Sequence, residues 1–317
     1  MPNLNHVGHG SAGSQLVETD ITRLPFRPDG SFTMVQFTDL HLTDGGPADT
    51  KTLALLTTVL ALEKPDLVIL TGDIIAGSDT PIPDSAKAWR MAVEPIERLG
   101  LPWAAVFGNH DDEGNLTRAE LMQVQQGFAG CLSQPGPANL SGVGNYLIDL
   151  INGEGEARAR LYLLDSLSYG PKNVSRYAWI STEQIAWFQQ QAEAGVGLTG
   201  LVFFHIPLPE FDQVWQQGGC IGNKLEKVCC PSVNSGMFAA MRASAAVAGV
   251  FVGHDHINDY EGTLAGIRLC YGRAGGHGSY GSEHMPRGAR VIRLREHQPG
   301  FETWLRLEDG SSVKQSG

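Results

Sequence analysis

The 317-residue chain lacks several things whose absence narrows its class. It has no run of about 18 apolar residues, the length a membrane-spanning helix requires. The longest small-apolar run, Ala243 to Val252, is too short and reads as a helix end leading into a buried strand. Met1 to Gln15 is rich in Gly, Asn and His and lacks the basic-then-apolar pattern of a signal peptide. A cytoplasmic protein is therefore expected, or a periplasmic or secreted one if a leader has been removed. Positive charge is also short: 23 Lys and Arg face 34 Asp and Glu, for a net charge of −11. That balance argues against a nucleic-acid binder working through a basic patch. No Cys-x-x-Cys pair or regular Cys/His spacing points to structural zinc. The five cysteines are odd in number. Free thiols are expected, with a local bridge from Cys220 to Cys229 or Cys230 as the alternative.

No internal repeat, low-complexity linker or domain boundary is visible, and nothing marks an oligomeric state. One domain over residues 31–310 is expected, between an N-terminal tail at 1–30 and a C-terminal tail at 311–317. Its hydrophobic content of 42% is ordinary for a globular protein. Apolar runs alternate with amphipathic stretches: strands at Phe32–Phe37, Leu67–Leu70 and Trp103–Phe107, helices at Thr50–Leu62, Pro83–Leu99 and Thr117–Phe128. Fully apolar strands in such an alternation are buried on both faces, which predicts an α/β fold. Tyr146–Leu150 and Leu161–Asp165 read as a hairpin across Asn152-Gly153-Glu154-Gly155. Ser181–Ala194 reads as a helix with Ser181 as N-cap and Gln184 at the capping-box position. Further strands are predicted at Leu201–Phe204, Val250–Val252, Ile267–Tyr271, Val291–Leu294 and Thr303–Leu307, with fewer helices between them.

Polar, metal-binding residue types follow the apolar runs. The blocks are Asp39-x-His41, Gly72-Asp73, Gly108-Asn109-His110-Asp111, His205 and Gly253-His254-Asp255-His256. Side chains from several strands converge beyond their carboxyl ends in α/β sheets, which makes these blocks a candidate site. Half of the ten histidines fall in them. His6, His9, His277, His284 and His297 lack such context and are not expected to be ligands. Strand alternation is expected to put Asp39 and His41 on one side, and likewise His254 and His256. Carboxylate, imidazole and amide oxygen form a mixed N/O set suited to Zn, Fe, Mn or Ni. Seven donors exceed what one tetrahedral ion needs, so two metals sharing one carboxylate are expected.

These five blocks, in this order from about Phe32 to Tyr271, resemble the calcineurin-like metallophosphoesterase superfamily. The resemblance implies a four-layer αββα sandwich, two mixed sheets flanked by helices, with a dinuclear centre at the strand ends. It implies that Asp39, His41 and His256 bind one divalent or mixed-valence transition-metal ion, that Asn109, His205 and His254 bind the other, and that Asp73 bridges. It gives His110 the role of contacting phosphate and protonating the leaving oxygen, with Asp111 placed to orient it. Purple acid phosphatases carry Gly-Asp-x-x-Tyr, whereas this chain reads Gly72-Asp73-Ile74-Ile75-Ala76. Ala76 cannot bind iron, so the chain is nearer the non-purple, Dcr2-like branch, and no purple colour is expected.

The implied reaction is phosphoester hydrolysis by in-line attack of a metal-activated hydroxide, on phosphomonoesters first and small phosphodiesters as the alternative. A catalytically silent metal-binding scaffold is the competing class. Asn109, His110 and Arg273 are the candidate substrate contacts, Arg273 as a bidentate fork on phosphate. Asp44, Asn234 and Ser235 are candidates for the rim, and Tyr169, Tyr177 and Trp179 for stacking or, more simply, packing. Two divalent ions would raise the formal charge from −11 to about −7, so a small phosphorylated substrate is the expected partner.

Overall fold

The computed structural model describes residues 21–77 and 84–314. Its strands are β1 (Thr22–Pro25), β2 (Ser31–Phe37), β3 (Leu67–Thr71), β4 (Trp103–Val106), β5 (Tyr146–Ile151), β6 (Ala157–Leu163), β7 (Thr199–Phe203), β8 (Val247–Val252), β9 (Glu261–Leu264), β10 (Ile267–Tyr271), β11 (Gly288–Arg295), β12 (Glu302–Leu307) and β13 (Ser312–Lys314). The helices are α1 (Pro47–Glu63), α2 (Ser85–Glu97), α3 (Arg118–Gln126), α4 (Thr182–Ala194), α5 (Glu210–Gln217) and α6 (Met237–Ser244).

Alternation along the strands builds the layers. In β3, Leu67 and Ile69 face the other sheet, while Val68 and Leu70 face Leu56 and Val59 of α1 and Trp89 and Val93 of α2. In β7, Leu201 and Phe203 face inward, while Val202 meets Phe188 of α4, Phe211 of α5 and Met241 of α6. Both faces are covered, which is why these strands carry no polar alternation. The result is two mixed sheets with helices on their outer faces, the four layers the resemblance implied. The larger sheet runs β1-β5-β6-β7-β8-β10-β9 and the smaller β13-β12-β11-β2-β3-β4.

Strands β2, β3 and β4 are parallel in one sheet, and β6, β7, β8 and β10 in the other. The predicted hairpin is present as the antiparallel pair β5 and β6. Ser181 caps α4, with the reciprocal bond from Gln184 closing the capping box. Thr117 and Glu120 form the same device at α3.

Some elements escaped the sequence pattern. Helices α5 and α6 are eight residues each, too short for a clear period, so among the described residues the second half has as many helices as the first, though shorter ones. Thr22–Pro25 pairs in parallel with β5, and Ser312–Lys314 with β12. Both lie within the expected tails, so those stretches belong to the sheets. Residues 1–20 and 315–317 of the tails, His6 and His9, and the Pro83 start of the second predicted helix fall outside the described residues. All five cysteines are free thiols, and no Cys220 bridge forms. Among the described residues no helix is long and apolar enough to cross a membrane.

Candidate dinuclear metal centre

The carboxyl ends of parallel strands from both sheets meet at one seam. Strands β2, β3 and β4 deliver Asp39 and His41, Asp73, and Asn109 and His110; β7 and β8 deliver His205, and His254 and His256. Two buried triads result, Asp39–His41–His256 and Asp73–His205–His254, with the donor atoms of each within 4.8 Å of one another. Each triad draws on both sheets, so neither exists until the sheets have packed.

Asp73 stands between the triads. Its Oδ2 is 3.1 Å from His205 Nε2 and 3.9 Å from His41 Nε2. Its Oδ1 accepts the backbone N–H of His110 at 2.8 Å. His41 and His256 face each other through Nε2 at 3.1 Å, and His254 Nδ1 lies 3.2 Å from His205 Nε2. The backbone chooses which nitrogens point inward. His205 Nδ1 meets the Thr71 carbonyl at 2.8 Å, and His256 Nδ1 the Tyr280 carbonyl at 3.1 Å. Carbonyls only accept, so Nδ1 carries a proton and Nε2 is the nitrogen turned toward the cluster.

The donors sit just past the strands, not on them, and four are on strained backbone. Asp39 (φ 54°), His41 (φ 47°), Asp73 (φ 49°) and His254 (φ 77°) are all left-handed. Such residues cost on the order of 1–3 kcal/mol each and persist where their surroundings over-determine them. This replaces the alternation argument for Asp39 and His41. Gly108 is needed for a different reason: a Cβ there would overlap the Asp73 carboxylate and backbone nitrogen.

The residues fit a pair of cations. Asn109 Oδ1 is buried without a hydrogen-bond partner, an expensive state that a metal relieves. Burial and the neighbouring His256 push His41 down to about 3, and burial and His205 do the same for His254, so both present lone pairs. Against burial, the His256 hydrogen bond holds Asp39 down to about 2. Against burial, the Asp73 charge raises His205 to about 9, so a proton stands in for a cation there.

Two assignments are corrected. Asp111 does not orient His110. Its carboxylate accepts the backbone N–H groups of Asp73, Ile74, Ile75 and Gly108 and so ties the β3 and β4 loops together. Glu113 holds His110 instead, Oε2 to Nδ1 at 2.5 Å. Arg273 is 4% exposed, ion-paired with Asp259 and donating to the Pro286 carbonyl at 2.7 Å. Its guanidinium is committed to the fold, so the substrate fork is withdrawn. Asp44 is exposed on the helix approach, and Asn234 is spent on Glu210 and the turn into α6. Tyr177 packs edge-on against His254 with centroids 4.5 Å apart. Asp255 accepts from Tyr271 Oη and the Cys229 N–H and so anchors the turn between His254 and His256. His277 pairs with Glu308, away from the cluster.

Glu113 and Tyr280 were not found from the sequence, and Tyr169 was marked only for stacking or packing. Glu113 had a faint signal, an acid three residues after His110 in a loop. Nothing in the sequence tied Tyr169 or Tyr280 to a particular site residue, because they reach the site from distant loops.

Comparison with known proteins agrees with the geometry. A family model for the calcineurin-like phosphoesterases matches residues 32–258. "Probable inactive purple acid phosphatase 29" of Arabidopsis thaliana is 33% identical, across 90% of this chain and 85% of that protein. "Phosphatase DCR2" of Saccharomyces cerevisiae is 36% identical, across 93% of this chain and 57% of that one. Among solved structures, a dimetal phosphatase from Danio rerio superposes with a TM-score of 0.61 at 16% identity, covering 90% of this chain and 99% of its own. That last likeness is one of fold. With the matched span holding both triads, the chain belongs to the calcineurin-like phosphoesterase family and is, by family, a hydrolase of phosphoester bonds.

Proposed function

We propose that the chain hydrolyses small phosphate esters, monoesters ahead of diesters, using two divalent or mixed-valence transition-metal ions. Asp39, His41 and His256 would hold one ion, Asn109, His205 and His254 the other, with Asp73 between them. Mn, Zn, Fe or Ni would suit this donor set. The carrying observation is the convergence of two buried triads around Asp73, beside an amide oxygen with no other partner. When bound, such ions polarise phosphoryl oxygens and bring the pKa of a water near neutrality.

The chain's own residues supply the rest. His110 lies beside the first triad, its ring centroid 5.6 Å from that of His41. Glu113 occupies its Nδ1, which leaves Nε2 as the edge available to a substrate. Against partial burial, Asp73 and the Glu113 hydrogen bond raise the His110 pKa, which favours the protonated ring. A protonated imidazole is what departure of an alkoxide calls for. Asp111 keeps the two ligand loops in register through four backbone N–H groups.

A dianionic monoester gains more from a doubly cationic centre than a monoanionic diester does, which supports the monoester preference. Some relatives carry "inactive" in their names; here the full set of seven donors supports hydrolysis over a silent scaffold. The test is turnover of p-nitrophenyl phosphate against bis(p-nitrophenyl) phosphate after chelation and reloading with Mn, Zn, Fe or Ni. Faster diester hydrolysis reverses the preference. No turnover of either with any metal overturns the enzyme reading.

A further inference from the structure

Glu113 and Tyr169 form a chain of hydrogen bonds that closes on the two adjacent site residues. Glu113 Oε2 meets His110 Nδ1 at 2.5 Å, and Glu113 Oε1 accepts the Tyr169 hydroxyl at 2.8 Å. The Tyr169 oxygen lies 3.3 Å from Asn109 Nδ2. A phenol has one proton, and an ionised carboxylate can only accept. The Tyr169 proton therefore goes to Glu113, and its oxygen is left to accept. Only the NH2 end of Asn109 can satisfy it. The amide oxygen must then point the other way, and Oδ1 is the atom found buried with no partner.

We infer that Glu113, acting through Tyr169, sets the amide orientation of Asn109, and that the same carboxylate fixes the ring of His110. Glu113 and Tyr169 are positioning residues: one selects the end of an amide presented to a cation, and the other relays that choice. This rests on the reading of Asn109 as a ligand. Two independent features show that the device is built in. A Cβ at Gly77 would overlap His110 Nδ1 and Glu113 Oε2, so the glycine leaves room for the pair. Tyr169 also stacks on Tyr177, centroids 6.1 Å apart and 23° between planes, and Tyr177 abuts His254. The brace thus leans on another proposed ligand of the same ion.

The test is Tyr169→Phe, which keeps the ring and its stacking. Tyr169 is 46% exposed, so the change leaves no buried void. Chelated protein is titrated with Mn and then with Zn, and bound metal is counted by elemental analysis. Loss of an outer partner of this kind weakens metal affinity by roughly 10–100-fold. Tyr169→Phe should weaken uptake of the second ion by about 10-fold and leave the first ion and the melting temperature unchanged. Glu113→Gln should do the same and also steepen leaving-group dependence, losing more turnover on an alkyl phosphate than on p-nitrophenyl phosphate. Wild-type uptake of both ions by Tyr169→Phe overturns the inference. If the unmutated protein takes up fewer than two ions, the two-metal reading fails and the brace fails with it.

Discussion

The two triads differ less in their donors than in what holds those donors from behind. In Asp73–His205–His254, the proton of His205 is fixed by the Thr71 carbonyl, inside β3, and Thr71 is fully buried. In Asp39–His41–His256, the proton of His256 is fixed by the Tyr280 carbonyl, in a loop whose tyrosine is 52% exposed. The Tyr280 ring stacks on His256 at 4.1 Å and 7°, with its hydroxyl held by Glu226 at 3.0 Å. His205 is braced by the core and His256 by a surface loop. A core brace is as stable as the sheet, whereas a loop brace opens locally at low cost.

The widest break in that contrast is Asp73→Asn, which touches both triads. Turnover should fall well beyond the roughly 10–100-fold typical of an outer partner. Activity near wild type in a metal-replete assay would remove Asp73 from between the ions. Next is Tyr280→Leu, which removes the stack on His256 and the phenol's tie to Glu226. It should weaken the first ion by about 10-fold and spare the second, the mirror image of Tyr169→Phe. Equal weakening of both ions in a metal titration would erase the distinction between the braces.

Gly77→Ala should act on neither triad directly. Its new methyl displaces His110 or Glu113, so turnover of alkyl phosphates should drop several-fold while the first ion stays bound, as bound-metal counting would show.

The smallest effect is on pH. The folded His205 value of about 9 lies above its usual one. Its contribution to the metal-free protein is therefore full below about pH 6.5 and is lost as pH rises through 9. His41 and His254, pushed down to about 3, behave oppositely: their contribution is lost as pH falls from about 6.5 toward 3. Urea melts of chelated His205→Asn should lack the alkaline part of this dependence and keep the acidic part.

Much of the fold was legible because strands buried on both faces leave unbroken apolar runs, as at Leu67–Leu70 and Leu201–Phe204. Capping residues such as Thr117 and Ser181 marked helix starts by local hydrogen bonding. Short or edge elements gave no such mark: α5 and α6 span about two turns, and β1 and β13 flank the larger units. The seven candidate donors were readable as blocks of residue types after strands. The error over Asp111 was one of neighbourhood: sequence adjacency to His110 suggested contact, but that carboxylate turns back to the Asp73 loop, and the residue two places on makes the bond. Arg273 erred likewise, since its charge was visible but Asp259, its partner, was not.

The sequence by itself determined which residue types stand at the strand ends, because strand burial and glycine placement are local properties of the chain. Only the tertiary structure decided that Asp39 and His41 join His256, and that Asp73 joins His205 and His254, because each triad spans the seam between two separately hydrogen-bonded sheets. It also decided which nitrogen of each histidine faces inward and which end of Asn109 does. Those choices depend on single protons shared with Thr71, Tyr280 and Tyr169, groups brought close only when the sheets pack and the loops fold over them.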